Sequence, residues 1–278
     1  MSEFSVTPLG TVSPYPKDGK NCPGFLVEYK DNKIMLDCGN GCLSRLDLIN
    51  DLRNLRIIIS HLHGDHYGDL LSLIPTVYVY KKLGYIKNSP DIYIPDGDYY
   101  VDDRCGDANP KKERLPDYNL LKFLGEQYDT YIKEYEELND NWEGINVKSM
   151  KVPHQINSNA IKLTTPEGTI VYSSDTGTNN RLKEFAKNAD LLICESTFLK
   201  GQYRAVNAHL YAHEAGKTAR DAKVKKLLLT HFWPELDKQL YLDEALEVFP
   251  NTEVAEEGKK LIIRRDWYGT INRYAHTY

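Results

Sequence analysis

Immediately after the apolar run Leu55-Arg56-Ile57-Ile58-Ile59-Ser60 comes His61-Leu62-His63-Gly64-Asp65-His66, which puts three of the chain's eight histidines and a carboxylate within six residues. Neutral imidazole nitrogen and carboxylate oxygen are the usual ligands of a catalytic zinc, and His-x-His sets two rings on one side where a strand runs into a loop. Asp65 and His66, one turn on, can face a second cation. Strand ends suit such a site, because a strand holds position tightly while the loop after it leaves room for a ligand.

The rest of the chain supplies more strands of the same kind. Apolar and β-branched runs bounded by turn residues occur at 25–29, 33–37, 55–60, 169–174, 191–196, 226–230 and 260–264. Helices fit 43–52, 180–188, 210–222 and 242–249. Between Tyr118 and Leu138 the residues Leu121, Leu124, Tyr128, Tyr131, Tyr135 and Leu138 step by three and four, which predicts one long amphipathic helix. Alternating strands and helices indicate an α/β or layered α+β chain. At 278 residues, with no Pro-, Ser- or Gly-rich linker, a single domain over 1–278 is expected. A short internal repetition pairs KIMLDCG (33–39) with TIVYSSDTG (169–177), and IIISH (57–61) with LLLTH (227–231). It predicts two similar halves whose strand ends deliver Asp and His to one edge.

Charge and cysteine content narrow the partners. Lys plus Arg total 35 against 40 for Asp plus Glu, a formal charge of -5, which argues against a nucleic-acid coat held by a basic field. A small anionic substrate is compatible with local positive charge, and long nucleic acid is not expected. No apolar stretch approaches the roughly 20 residues needed to cross a bilayer, and the N-terminus lacks a signal-like apolar segment. A cytoplasmic protein is expected. Cys22, Cys38, Cys42, Cys105 and Cys194 are odd in number and scattered, which suits reduced thiols, and the lone Cys38-x3-Cys42 has no second pair to complete a zinc knuckle.

At His61-x-His63-x-Asp65-His66 the sequence resembles the metallo-β-lactamase fold superfamily, and the likeness extends over most of the chain. The later elements arrive in the expected order: His154 in KVPH, Asp175 in VYSSDTG and His231 in LLLTHF. The resemblance implies an α+β, four-layer αβ/βα sandwich of two mixed sheets with helices outside. It also implies two divalent metal ions, zinc in the first instance with manganese or iron as alternatives. One would be held by His61, His63 and His154, the other by Asp65, His66 and His231, with Asp175 bridging. The other histidines are plainer: His213, four residues after His209, is expected in solvent or packing, and His276 at the surface.

A narrower resemblance lies between Asp190 and His231. Cys194-Glu195-Ser196-Thr197 and His209-Leu210-Tyr211 are similar to two segments of the ribonuclease Z-like phosphodiesterase branch, which read His-Glu-Ala-Thr and His-Ser/Thr. Glu195 and His209 are kept. The resemblance implies attack on a phosphodiester by hydroxide held between the metals, with Asp65 orienting the nucleophile and His209, oriented by Glu195, protonating the leaving alkoxide. Counting two zinc ions, Asp65, Asp175 and hydroxide, the site keeps about one positive charge, which favours an anionic, nucleotide-like substrate. Thioester or lactone hydrolysis on the same metals is the alternative, and a non-catalytic zinc-binding protein a second. In the tRNA-processing members a long arm interrupts the chain between the residues matching His154 and Asp175. Here only 20 residues, Gln155 to Ser174, intervene and read as strand, turn and strand. The tyrosine-rich stretch 81–143, with Lys111, Lys112 and Arg114, either covers the site, its aromatics stacking on a base, or packs the long helix. Related phosphodiesterases are often dimers, so a homodimer is compatible with the resemblance.

Overall fold

The computed structural model describes residues 2–100 and 112–263. The expectations for Cys105, Lys111 and His276 therefore fall outside the described residues. The strands are β1 (Phe4–Gly10), β2 (Gly24–Tyr29), β3 (Asn32–Leu36), β4 (Leu55–Ile58), β5 (Asp91–Pro95), β6 (Asp98–Tyr100), β7 (Lys112–Arg114), β8 (Ile132–Tyr135), β9 (Asn139–Trp142), β10 (Ile145–Val152), β11 (Ser158–Thr165), β12 (Gly168–Tyr172), β13 (Leu191–Glu195), β14 (Lys226–Thr230), β15 (Thr252–Val254) and β16 (Leu261–Ile262). The α-helices are α1 (Leu48–Asp51), α2 (Gly64–Tyr67), α3 (Leu70–Lys82), α4 (Pro116–Gln127), α5 (Asn180–Phe185), α6 (Ala212–Asp221) and α7 (Lys238–Leu246).

Two seven-stranded mixed sheets form, in the orders β16-β1-β2-β3-β4-β5-β8 and β15-β14-β13-β12-β11-β10-β9. Each begins as an antiparallel meander and ends as a parallel run, β3 through β8 in the first and β12 through β15 in the second. The short sequence repetition marks the matching strands of these two runs.

The apolar runs are continuous because their strands are covered on both faces. With a period of two, Ile34, Leu36, Ile58, Leu191, Ile193 and Leu228 point into the layer between the sheets. Their neighbours Met35, Ile57 and Ile59 face outward under α3 and α4, where Leu70, Leu73, Ile74, Val77 and Leu121 cover them. On the other side Leu192, Cys194, Leu227 and Leu229 meet Leu182, Ala212, Ala215, Ala219 and Tyr241 from α5, α6 and α7. The result is the four-layer αβ/βα sandwich that the resemblance implies.

The long helix over 118–138 is corrected. α4 stops at Gln127, the chain reverses through Asp129 at φ 48°, and residues 132–135 become the edge strand β8, parallel to β5. Gly125 permits the reversal: its backbone accepts the Thr130 N–H at 2.8 Å, and a Cβ there would stand 2.7 Å from the Thr130 carbonyl. Tyr131, assigned to the apolar face, is 71% exposed, while Ile132 and Tyr135 are buried. The helix α3, over the segment 70–82 with Pro75 inside it, is an element the sequence reading lacks.

Parallel strands end together, so the residues that follow them share one edge of the sandwich. His61 follows β4, Asp175 follows β12, Glu195 closes β13 and His231 follows β14. Three residues at this edge that are not glycine adopt left-handed backbone: Asp37 at φ 59°, Ser174 at 56° and His231 at 66°. Each costs about 1–3 kcal/mol, which the surrounding bonds must offset. Asp37 N donates to Ile58 O at 2.9 Å, and His231 N to Thr11 O at 2.9 Å.

Candidate metal centre

Seven side chains from both sheets converge at this edge in two overlapping groups. In the first, His61 Nε2 lies 3.2 Å from His63 Nδ1, and His154 Nε2 lies 3.1 Å from the same atom. In the second, His66 Nε2 and His231 Nε2 are 3.3 Å apart, with Asp65 Oδ2 at 3.7 and 3.8 Å from them. Asp175 spans the two groups: Oδ2 is 3.6 Å from His61 Nε2, and Oδ1 is 3.1 Å from His231 Nε2 and 3.4 Å from His66 Nε2. All seven candidate side chains, Asp65 and Asp175 included, are brought together; their donor atoms form one group of His61, His63, His154 and Asp175 and another of Asp65, His66 and His231, while a third joins Asp175 and His231 to His209.

The arrangement fits divalent cations. Donors about 2.0–2.1 Å from a tetrahedral ion stand about 3.3 Å apart, close to the nitrogen separations here. Asp175 Oδ1 is buried and has no hydrogen-bond partner, a costly state for a carboxylate oxygen that a cation would relieve. Burial, with help from neighbouring imidazoles, holds His61 well below the usual histidine pKa and lowers His63 to about 4; His154 is lowered too, so these rings are neutral, as ligands must be. His66 differs. Burial works against its charge, but Asp175, Asp65 and Asp37 outweigh it and raise the pKa well above the ordinary range. Asp175 is the counterpart: burial favours its acid form, yet His231, His66 and His61 hold the carboxyl well below its usual value.

Outer partners fix which ring nitrogen faces inward. His154 Nδ1 donates to Ala208 O at 2.9 Å, so its Nε2 carries the inward lone pair; His66 Nδ1 donates to Asp37 Oδ2 at 2.8 Å, so its Nε2 is the nitrogen turned inward, free to bind a cation once its own proton is displaced. His61 Nδ1 meets Ser60 Oγ at 3.1 Å. Ser13 Oγ donates to Asp65 Oδ2 at 2.7 Å.

Asp37 is the main residue the motifs missed. It is fully buried and accepts four bonds: Ser60 N at 2.6 Å to Oδ1, and Ser60 Oγ at 2.8 Å, His66 Nδ1 at 2.8 Å and Tyr172 OH at 2.7 Å to Oδ2. Its signal was present in the repetition, where Asp37-x-Gly39 matches Asp175-x-Gly177. Ser13 carried no comparable signal, and Thr197 stood only as the threonine that closes the Cys194–Thr197 segment, with no role attached.

Glu195 and His209 stand beside the seven. Glu195 is 1% exposed, and its Oε1 accepts from His209 Nδ1 at 3.0 Å. The His209 ring centroid is 5.0 Å from that of His154 and 5.4 Å from that of His231. Desolvation pulls the His209 pKa down, but the charge and hydrogen bond of Glu195, with Asp175 behind, raise it to about 9. His213 lies apart, its Nδ1 donating to Glu244 Oε1 at 2.7 Å between α6 and α7.

Between His154 and Asp175 the chain makes the β11–β12 hairpin, closed by a tight turn at Thr165↔Gly168, with no projecting arm. No helix among the described residues is long and apolar enough to cross a membrane. Of the tyrosine-rich stretch, Asp96, just after β5, accepts from Asn157; residues 101–111 lie outside the described residues.

The chain is 28% identical over 262 residues to an uncharacterized protein of Mycobacterium leprae, covering 88% of this chain and 83% of that one. It is 27% identical over 278 residues to the ribonuclease Z of Thermococcus sibiricus, covering 86% and 90%. The crystal structure of the metallo-β-lactamase fold protein YhfI from Bacillus subtilis superposes with a TM-score of 0.77 at 25% identity, covering 94% of this chain and 99% of that one. A family described as Anti-Pycsar protein Apyc1 matches residues 4–249. The chain belongs to that family, and with it to the metal-dependent hydrolases of the metallo-β-lactamase fold related to ribonuclease Z and YhfI.

Proposed function

We propose that this protein is a binuclear metal-dependent phosphodiesterase acting on a small anionic, nucleotide-like diester. His61, His63 and His154 would hold one divalent ion, Asp65, His66 and His231 the other, and Asp175 would bridge them. Zinc is the first choice, with manganese or iron as alternatives. When bound, such ions make water nucleophilic near neutral pH and draw charge from phosphoryl oxygens.

The observation that carries the choice of phosphodiester is the Glu195–His209 pair. An alkoxide leaving a phosphodiester needs a proton, whereas a thiolate leaving a thioester does not. His209 keeps Nδ1 on Glu195, is 21% exposed at its side chain and has a pKa near 9, so it carries a transferable proton at neutral pH. Giving the Nε2 proton to the leaving oxygen would leave a neutral ring whose Nδ1–H still donates to Glu195. Asp65, whose Oδ2 is held by Ser13, would orient the attacking water.

The charge balance differs from the count of metals, Asp65, Asp175 and hydroxide. Asp37 and Glu195 are also buried against the imidazoles, which brings the formal total to about one negative, and the His209 proton returns it to about zero. Attraction for an anion would therefore be local, at the ions and His209. The short β11–β12 turn supports a small substrate, because it offers no surface to grip a long nucleic acid.

The test is a parallel assay of metal-loaded protein on a chromogenic phosphodiester, a thioester and a lactone, each with and without chelator. Chelator-sensitive turnover of the phosphodiester is expected. Activity confined to the thioester or lactone would replace the substrate class, and none on a broad panel despite bound metal would leave a zinc-binding protein.

A further inference from the structure

Thr197, two residues beyond Glu195 and 6% exposed, has one hydroxyl among three polar side chains. Its Oγ1 is 2.8 Å from Glu195 Oε2, 2.8 Å from His231 Nδ1 and 3.2 Å from His209 Nδ1. A hydroxyl has one proton to give, so the direction of each bond matters.

The backbone settles that direction. Thr176 N–H ends on Glu195 Oε1 at 2.9 Å and Thr197 N–H ends on Oε2 at 3.1 Å. A peptide N–H can only donate, so both carboxyl oxygens are acceptors. The Thr197 proton therefore goes to Oε2, and its oxygen is left to accept. His231 can bond to it only with a proton on Nδ1, which bares Nε2. That nitrogen is the one 3.1 Å from Asp175 Oδ1 and 3.3 Å from His66 Nε2, inside the second donor group.

We infer that Thr197 is a positioning residue that sets the tautomer of His231, so that the single carboxylate of Glu195 orients the proton donor directly and a metal-binding imidazole through one hydroxyl. The inference rests on reading His231 as a ligand of the second ion. Without the hydroxyl, His231 Nδ1–H faces a methyl group, and the competing tautomer can donate from Nε2 to Asp175 Oδ1, where the ion would sit. Asp37 does the same for His66 without an intermediary, so the two imidazoles of the second group are each tied to a buried carboxylate.

The experiment compares wild type, Thr197→Val and Thr197→Ser as full-length, zinc-loaded proteins. Valine keeps the shape and the backbone N–H but removes the hydroxyl; serine restores it. Stepwise zinc dissociation constants are measured by competition with a chromophoric chelator. Thr197→Val should weaken one of the two sites about 10–100-fold and leave the other unchanged, while Thr197→Ser stays within about threefold of wild type. Nitrogen-15 spectra of histidine-labelled, zinc-loaded wild type should show His231 protonated at Nδ1 and metal-bound at Nε2. The reverse assignment overturns the inference whether or not the valine variant folds. So does an unchanged pair of zinc affinities in Thr197→Val, or an equal loss in Thr197→Ser, which would assign the effect to packing. Wild-type protein that takes up no zinc would bring down the metal reading and this inference together, an outcome distinct from two tight sites in both wild type and Thr197→Val.

Discussion

Replacing Asp37 by asparagine tests whether this buried carboxylate anchors the centre. Four donors end on it, one on Oδ1 and three on Oδ2. An amide offers one oxygen and one NH2, so no orientation serves all four. With NH2 toward Ser60 N, two N–H groups confront each other at the position of a 2.6 Å bond. With NH2 on the other side, it meets His66 Nδ1–H, and the ring can yield only by losing that proton and with it the charge that Asp37 supports. One unsatisfied buried donor costs about 1–3 kcal/mol, and loss of charge-assisted bonding adds about 1–2 kcal/mol. The expected destabilisation of metal-free Asp37→Asn is about 3–4 kcal/mol, or roughly 10 °C in Tm for a chain of this size. Tyr172→Phe, which removes one donor of the four, should cost only about 1 kcal/mol. Urea unfolding in chelator gives the stabilities, and zinc competition should show a loss of about 10–100-fold at one site for Asp37→Asn. Metal-free Asp37→Asn within about 1 kcal/mol of wild type, with both zinc affinities intact, would refute the reasoning.

Further outcomes follow from other contacts. His209→Ala should slow hydrolysis of an alkyl phosphodiester by about 10²–10⁴-fold but that of a nitrophenyl ester far less, with zinc content unchanged; equal losses on both substrates would remove the proton-donor role. In Gly39→Ala the new Cβ would stand 2.1 Å from the Asp65 carbonyl oxygen, so the variant should lose stability by about 3 kcal/mol or more and bind zinc poorly; thermal unfolding and metal analysis read both. Burial pushes the Cys22 thiol up to about 12 and raises Cys38, Cys42 and Cys194 as well, so none of these four should react with a disulfide reagent at pH 8 until denaturant is added. Fast labelling of any of them in the native protein, located by peptide mapping, would contradict that burial.

Residues whose donor atoms converge on the candidate metal centre are legible in sequence where they cluster in the chain, as His61 to His66 do, or sit at a strand end, as Asp175 and His231 do. Those that act one bond further out did not. A hydrogen bond between His231 and Thr197 or from Ser13 to Asp65 joins residues 34 and 52 positions apart and leaves no period or spacing to read. Asp37 left a trace only because the two sheets share a topology. Periodicity failed where two elements abut: Tyr128, Tyr131, Tyr135 and Leu138 keep a helical step across a chain reversal, although Tyr131 points to solvent. In 70–82 the buried Leu70, Leu73, Ile74 and Val77 do step as a helix, but Leu71, Val79 and a helix-breaking Pro75 blur that stripe in the sequence.

The seam between the sheets has a bearing on assembly. His61, His63, Asp65 and His66 come from the first sheet; His154, Asp175 and His231 come from the second. Neither half alone encloses a cation, and each proposed ion would fasten the two together like a rivet. At hundredfold excess over its Kd each rivet adds about 2.7 kcal/mol to the joined form and nothing to the parted one. A nascent chain leaving the ribosome has six of the seven donors once β12 is made and lacks only His231 until β14 follows, so filling of the second proposed site would report that both layers have closed.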